Sequence, residues 1–390
     1  MDLPPASCCL RRQPARGLDV AAAPPWRSRM VRSARLSVFA LAAAALCAGV
    51  AAGTGPSWPL DRDGLVLAWL SADRPAEVVD PATAKRGVLR VEARGTARFG
   101  RFFEMDTRGG SFEAQGAGDA LVAACRKTGQ VTIEIVLTPD AAPQPGCTQV
   151  AALAPDKGPP DLVLAQEGDA LVFGLRTSGQ TGDAPAETVR LGKVEALRPL
   201  HLVVSYAPGR LAWSMDGEPQ PAAPAPAGDL ANWAPGRLVF GGEGPPAWRG
   251  RIEGVAVYSR TVGPDEARAR FALAAARLKD RRPAARLSVD ARLVAATPVP
   301  DPKTIAPYVR ALVVNEYEID RVVEGRYDGK RVAVAQWAIL GGAVLPADWK
   351  VGEPRRLVLE RFEDHPELES ERLIMGGAGP ALPLFLDVGR

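Results

Sequence analysis

At 390 residues and 47% hydrophobic side chains, the chain is too long for one ordinary core and too apolar for a disordered tail. Its 48 basic and 45 acidic residues are interspersed, leaving a formal charge of +3 with much of the excess near the N-terminus. That distribution excludes a nucleic-acid footprint. The 39 Gly and 36 Pro are spread throughout, as many short strands joined by turns require.

In chain order, the first feature is a leader. Residues 27–35 (RSRMVRSAR) are basic and run into the apolar stretch 36–52, which ends in Val50-Ala51-Ala52. A basic region, an apolar region and small residues are the three parts of a secretory signal. Met30 would open that signal cleanly, so residues 1–52 are expected to be a leader with its true start at Met30. Cleavage after about Ala52 gives a periplasmic or extracellular protein. The rival is an uncleaved anchor through residues 36–52, since about 17 apolar residues fall just short of a comfortable span. Leu46 is too large for the position before a lipidated cysteine, which argues against an anchor on Cys47. Apart from this leader, nothing points to a membrane.

From Leu65 onward, apolar residues alternate with a period of two. Val131, Ile133, Ile135 and Leu137 share one strand face; Thr132, Glu134, Val136 and Thr138 share the other. Strands are also expected at 64–70, 161–165, 171–176, 200–206, 211–215, 236–240 and 251–258. The turn Ala207-Pro208-Gly209-Arg210 joins two of them. The Pro/Ala stretch 219–226 lies between strands and reads as a surface loop. Cys8, Cys9 and Cys47 fall in the leader, leaving Cys125 and Cys147. An exported pair invites a disulfide. If the 131–138 strand pairs with the next as a hairpin, however, the two sulfurs sit beyond the ~7 Å bridging limit between Cα atoms.

One helix follows. Gly263-Pro264-Asp265-Glu266 combines a cap, a first-turn proline and dipole-matched acids. Ala267, Phe271, Ala274 and Leu278 then recur at helical spacing, Arg277 and Lys279 sit at the far end, and Arg281-Arg282-Pro283 stops the helix. Its expected role is a closing element on the sandwich. Beyond it, strands are expected at 286–294, 311–323, 331–340, 355–362 and 382–388, with Tyr327-Asp328-Gly329-Lys330 turning a hairpin. This set suits a small sandwich or partly closed barrel. The expected division is therefore a leader 1–52, a first domain 60–281 and a second domain 286–390. The expected fold is all-β.

The fragments of the first domain resemble, in their order, the laminin G-like, concanavalin A-like jelly roll. They are Asp63-Gly64-Leu65-Val66-Leu67-Ala68-Trp69, Val131-Thr132-Ile133-Glu134, His201-Leu202-Val203-Val204-Ser205-Tyr206, Trp213-Ser214-Met215-Asp216-Gly217-Glu218, Leu238-Val239-Phe240-Gly241-Gly242 and Trp248-Arg249-Gly250-Arg251-Ile252-Glu253-Gly254-Val255-Ala256-Val257-Tyr258. The resemblance implies two antiparallel sheets packed face to face, with ligands on a concave sheet or a loop rim. It implies no single activity, because the fold carries lectins, adhesive modules and glycosidases alike. The second domain looks like one appended to such modules in exported bacterial proteins. Tyr308-Val309-Arg310-Ala311-Leu312-Val313-Val314 and Phe362-Glu363-Asp364-His365-Pro366-Glu367-Leu368-Glu369 are its most distinctive stretches.

Residue by residue, no catalytic constellation assembles. A retaining glycosidase needs two carboxylates about 5 Å apart. Glu318 and Asp320 begin such a strand pattern, but Val322 and Val323 stand where its last acid should be, and Glu324 comes late. They read as a solvated strand face, while Glu134 is the one acid on its own strand. His201 and His365 are the only histidines, so bases for a serine or cysteine relay are few. His201 reads as a packed strand residue. His365 reads as part of a solvated acidic loop with Glu363, Asp364, Glu367 and Glu369, whose spacing matches no calcium loop. Two histidines without clustered thiols argue against zinc. The glycines at 241, 242 and 244 follow a strand without opening a helix, so they grip no phosphate.

Calcium at a loop rim, which the resemblance implies for many members, would fall to Asp216, although Asp-Gly is first of all a turn former. Trp213, Trp233 and Trp248 are the candidates for a sugar platform; Trp213 reads as core and Trp233 as the exposed one. The expectation is therefore a non-catalytic exported protein that binds a carbohydrate or protein at the envelope, without a cofactor. The alternatives are an accessory subunit of a polysaccharide-modifying or secretion complex, and an enzyme whose site lies between the domains.

Overall fold

The computed structural model describes residues 62–70, 77–79, 86–180, 186–242, 245–279, 281, 284–346, 349–369, 371–376 and 382–389. The expected leader, with Met30, Cys47 and the segment 36–52, lies outside the described residues. No helix among the described residues is long and apolar enough to cross a membrane.

The chain folds into two facing antiparallel sheets followed by a third sheet that curls into a barrel. The first sheet runs in the order Glu218–Pro219, Arg210–Met215, Leu200–Ala207, Val131–Pro139, Gly250–Tyr258, Leu65–Leu70, Glu77–Val79, Arg86–Val88. The second runs Glu187–Lys193, Ala170–Leu175, Leu162–Gly168, Gln144–Pro155, Gly236–Gly241, Ser111–Ala114, Val91–Arg94. The expected alternation sets the layers. Val131, Ile133, Ile135 and Leu137 point between the sheets and pack with Leu153, Leu164, Phe173 and Phe240 in one buried cluster. Burying side chains of this size stabilises by about 1.5–3 kcal/mol each, before the cost of ordering the chain.

Among the described residues two α-helices are present rather than one. α2 (Pro264–Lys279) lies close to its expected bounds and covers the outer face of the first sheet, where Ala274 joins Leu65, Ala68, Val136, Ala256 and Tyr258. The unexpected α1 (Ala117–Thr128) packs one face into the sandwich core and leaves the other exposed, between left-handed glycines at Gly116 and Gly129. Ala117, Gly118, Leu121, Val122, Ala124 and Cys125 form its buried stripe. The abundance of Gly and Ala around it hides a helical repeat that those six residues carry.

The pairing assumed for the cysteines also differs. The strand following Val131–Pro139 does not turn back on it but crosses to the second sheet, so Cys125 lies in the core and Cys147 on a strand of the opposite layer. Neither forms a disulfide.

The third sheet uses residues 286–387 alone. Arg286–Ala295 pairs with Ala311–Glu324 and with Pro354–Arg361, and Ala311–Glu324 pairs on with Arg331–Leu340. Leu384–Asp387 closes the ring, parallel to Arg331–Leu340 and antiparallel to Pro354–Arg361. Five strands thus form a partly closed barrel filled by Leu287, Val289, Leu293, Tyr317, Val334, Leu359 and Phe385. A buried polar chain ties the ring together. Gln336 Nε2 donates to Asp387 Oδ2 at 2.8 Å, while Asn315 and Tyr317 each donate to Gln336 Oε1 at 2.9 Å.

The segment 95–104 carries the contact between sandwich and barrel. Arg310 Nη1 donates to the Ala97 carbonyl at 2.9 Å, and Arg101 Nε donates to that of Asp364 at 2.8 Å. Trp337 of the barrel has the guanidinium of Arg98 at 5.9 Å and that of Arg310 at 5.1 Å from its ring centre.

Candidate functional site

The same alternation that sends Ile133 inward sends Glu134 outward, under α2. There its carboxylate is fully buried, with Oε1 2.8 Å from His201 Nε2 and Oε2 2.6 Å from Arg270 Nη1. Arg270 also reaches Tyr258 Oη and Glu266, and its guanidinium lies 4.4 Å from the Tyr258 ring centre. Burial works against the Arg270 charge, but Glu134, Tyr258 and Glu266 together hold its pKa above the ordinary arginine value. Glu134 is therefore the hub of a buried ion network fastening α2 to the sheet. It could serve a Ser–His–acid relay only with a hydroxyl on the other nitrogen of His201. Among the described residues, His201 Nδ1 has no hydrogen-bond partner, and the ring lies beneath Phe271 at 6.0 Å. The signal for this network was Arg270 itself, a charge in the Ala267, Arg270, Ala274 stripe that the helix buries.

The remaining candidates separate. Trp213, Trp233 and Trp248 are all buried, their indole N–H groups donating to Leu191 O, Arg176 O and Gln166 Oε1 at 2.9 Å each. That bears out Trp213 as core and corrects Trp233, which is 1% exposed and cannot be a platform. Its neighbour Ala234 donates its amide to the buried Asp161, which pulls this segment onto the sandwich. The Asp216 carboxylate accepts the His201 amide at 2.9 Å and faces Arg198, as a turn-forming acid should. Among the described residues, no three His, Cys, Asp or Glu side chains are grouped to hold a metal ion. Glu318 and Asp320 are exposed, Asp320 paired with Arg292 at 2.8 Å, as a solvated strand face requires.

His365 is corrected. It is 4% exposed rather than solvated, with Nδ1 2.8 Å from Glu367 Oε1. Its Nε2 lies 3.2 Å from Glu360 Oε2, close enough for an ion pair but not aligned as a hydrogen bond. The cause is Leu368, which packs in a second apolar cluster, on the outer face of the barrel strands with Leu312, Val314 and Leu386, and draws its polar neighbours in. Glu363 and Glu369 do remain exposed.

Two features were not singled out from the sequence. Glu104 and Glu253 are both buried beside Arg281, whose Nη1 lies 2.5 Å from Glu253 Oε2. Burial, then the Glu253 charge, pushes the Glu104 carboxyl up to about 7. The adjoining cleft, lined by Leu70, Val136, Glu253, Ala274, Arg277, Leu278 and Arg281, has room for about one water and not for a sugar ring.

The other feature is an exposed rim on the barrel. Tyr308 and Val309, 45% and 56% exposed, lie on the connection between the barrel's first two strands. The Arg372 guanidinium sits 5.9 Å from the Tyr308 ring centre, and the Gly342 amide donates to the Val309 carbonyl at 2.7 Å. The Gly341–Gly342 turn leads to Val344, 50% exposed, completing the rim. An aromatic face beside a guanidinium fork can stack on an apolar ring face while donating to hydroxyls or a carboxylate.

No family model and no curated protein matches the chain. Among solved structures it is similar to the Trypanosoma rangeli sialidase in complex with the inhibitor DANA, at TM-score 0.37 and 18% identity. That match covers 54% of this chain and 33% of the sialidase, so the chain spans about a third of that enzyme's length. It is also similar to a botulinum neurotoxin type C structure concerned with ganglioside-dependent cell entry, at TM-score 0.43 and 9% identity over 68% of this chain and 64% of that one. The binding domain of botulinum neurotoxin DC in complex with rat synaptotagmin II gives TM-score 0.44 and 8% identity over 76% and 73%. Likeness at this distance is a matter of β-rich fold and nothing finer; it does not separate a laminin G-like domain from other β structures. It does correct the expectation of a chain without catalytic activity. Enzymes stand among the similar structures, so that expectation is withdrawn.

Proposed function

We propose that the chain is an exported recognition protein that binds a carbohydrate or a protein at the cell envelope. In this reading residues 1–52 are its leader, 60–281 a laminin G-like jelly roll and 286–390 a barrel domain. The observation that supports it is the Tyr308, Val309 and Arg372 rim. Large apolar side chains ordinarily lie in the core, and Trp69, Trp213, Trp233 and Trp248 do. An aromatic left outside beside a guanidinium is suited to a ligand.

Its place in the barrel adds support by fold-level analogy. Five-stranded Greek-key barrels hold oligosaccharides and oligonucleotides on their second and third strands and on the loop joining the first two. Tyr308 lies on that loop, and the interspersed surface charge leaves carbohydrate or protein as the ligand classes.

A glycan array and an envelope-protein pull-down test the proposal, each run with the wild type and with Tyr308→Ala. The expected result is binding to one class, weakened at least tenfold by the substitution, the loss of about 1.4 kcal/mol that a stacked ring supplies. Absence of binding to both classes, or binding indifferent to Tyr308, refutes it.

A further inference from the structure

Glu104 lies at the end of a short wedge, residues 98–104, that touches the barrel and Arg281. At one end Arg98 lies against Trp337, and Arg101 donates to the Asp364 carbonyl, both on the barrel. In the middle, Phe102 has the guanidinium of Arg101 at 5.3 Å and that of Arg281 at 4.7 Å from its ring centre. At the other end the Glu104 side chain folds back so that Oε2 accepts the Phe102 amide at 2.8 Å. Gly100 leaves the space for this, since a Cβ there would stand 2.2 Å from Glu104 Oε1.

The turn is closed by Gly100 N donating to Glu104 O and Phe103 N donating to Gly100 O, each at 2.8 Å. It holds Phe103 at φ 57, a left-handed conformation that costs a residue with a side chain energy to keep. The wedge is therefore a strained turn kept in place by what its carboxyl and its arginines touch.

The charged groups facing Glu104 are few. Glu253 comes from the Gly250–Tyr258 strand and Arg281 from the chain just beyond α2, while Arg277 of α2 lines the adjoining cleft with them. Arg281 is already engaged by Glu253. A second negative charge in this buried place therefore feels the repulsion of Glu253 and gains little from a guanidinium that Glu253 already holds.

We propose that Glu104, Glu253 and Arg281 form a proton-operated clasp, in which protonated Glu104 keeps the 98–104 wedge docked and its ionisation frees the wedge and loosens the barrel from the sandwich. This goes beyond the recognition function and does not depend on it. The raised carboxyl agrees in sign. A group whose pKa is higher when docked than when free contributes most below its ordinary value of 4.5 and loses that contribution as pH rises through about 7. The working range of the clasp therefore lies between about 4.5 and 7, from acidic to neutral conditions.

Amide hydrogen exchange on the full chain tests it, with protection factors for residues 98–104 corrected for the intrinsic effect of pH. Between pH 5.5 and 8 wild-type protection should fall by on the order of tenfold, one pKa unit being tenfold in an equilibrium constant. Glu104→Gln, which keeps the shape and removes the charge, should hold protection constant across that range. Glu253→Gln, which removes the like charge that raises the Glu104 carboxyl, should make the fall smaller and complete it at lower pH than in the wild type. A wild-type profile without pH dependence, or the same dependence in Glu104→Gln, overturns the clasp. If Glu104→Gln does not fold, Glu253→Gln decides alone: a fall as large as the wild type's, ending at the same pH, also overturns the proposal.

Discussion

Arg270 shows how one charge can organise an outer sheet face. Buried and shared between Glu134, Glu266 and Tyr258, it leaves Glu134 without its strongest partner when it is removed. Arg270→Ala is expected to destabilise the protein by about 3–5 kcal/mol, the cost of stranding a buried carboxylate. Arg270→Met with Glu134→Gln should cost much less, and urea denaturation compares the two. The cysteines give a second test. Burial pushes the Cys125 thiol up, whereas Cys147 is half-buried, so a thiol reagent on the native protein should modify Cys147 first. At this scale the sequence was a partial guide. Trp213 as core, Asp216 as a turn acid and Asp320 as a solvated acid were readable from strand phase alone. Trp233 and His365 were not, because each is buried through a neighbour's contacts: the Ala234 amide on Asp161, and Leu368 against the outer face of the barrel strands. Strand phase says nothing about irregular segments.

Among the elements, α1 is the one whose packing leaves least room. A Cβ on Gly118 would stand 1.9 Å from the Gly236 carbonyl oxygen, so the helix approaches its neighbouring strand backbone to backbone. Gly118→Ala is therefore expected to cost about 1–3 kcal/mol through overpacking, although alanine is the better helix former, and thermal denaturation reads the sign directly. The C-terminal barrel offers a complementary test. Leu368→Ala should destabilise by about 2–5 kcal/mol and expose His365 along with its two carboxylate neighbours. α2 was legible because its start carries a proline, two acids and an apolar repeat. α1 was not, because it begins and ends on glycines and carries no side-chain cap. The strand pairings that close the barrel bring residues 333–335 beside 384–386, a long-range contact that periodicity does not encode.

Over the whole molecule, sandwich and barrel meet along the 95–104 segment, and the barrel's rim faces away from the core with Tyr308 and Val309 exposed. Strand positions, the closing helix and a following β unit were readable from alternation and turn residues, whereas the two facing layers were only implied by the resemblance. The Glu104–Glu253 pair was not, because the two acids stand far apart in sequence and meet only once the sheet has formed. Recognition at the rim is the central claim, and ligand footprinting addresses it most directly. Hydrogen exchange should be measured on the full chain with and without the glycan or protein captured by screening. New protection confined to residues 305–310, 341–344 and 371–373 is the predicted result. A footprint on the sandwich with the rim unchanged would contradict it.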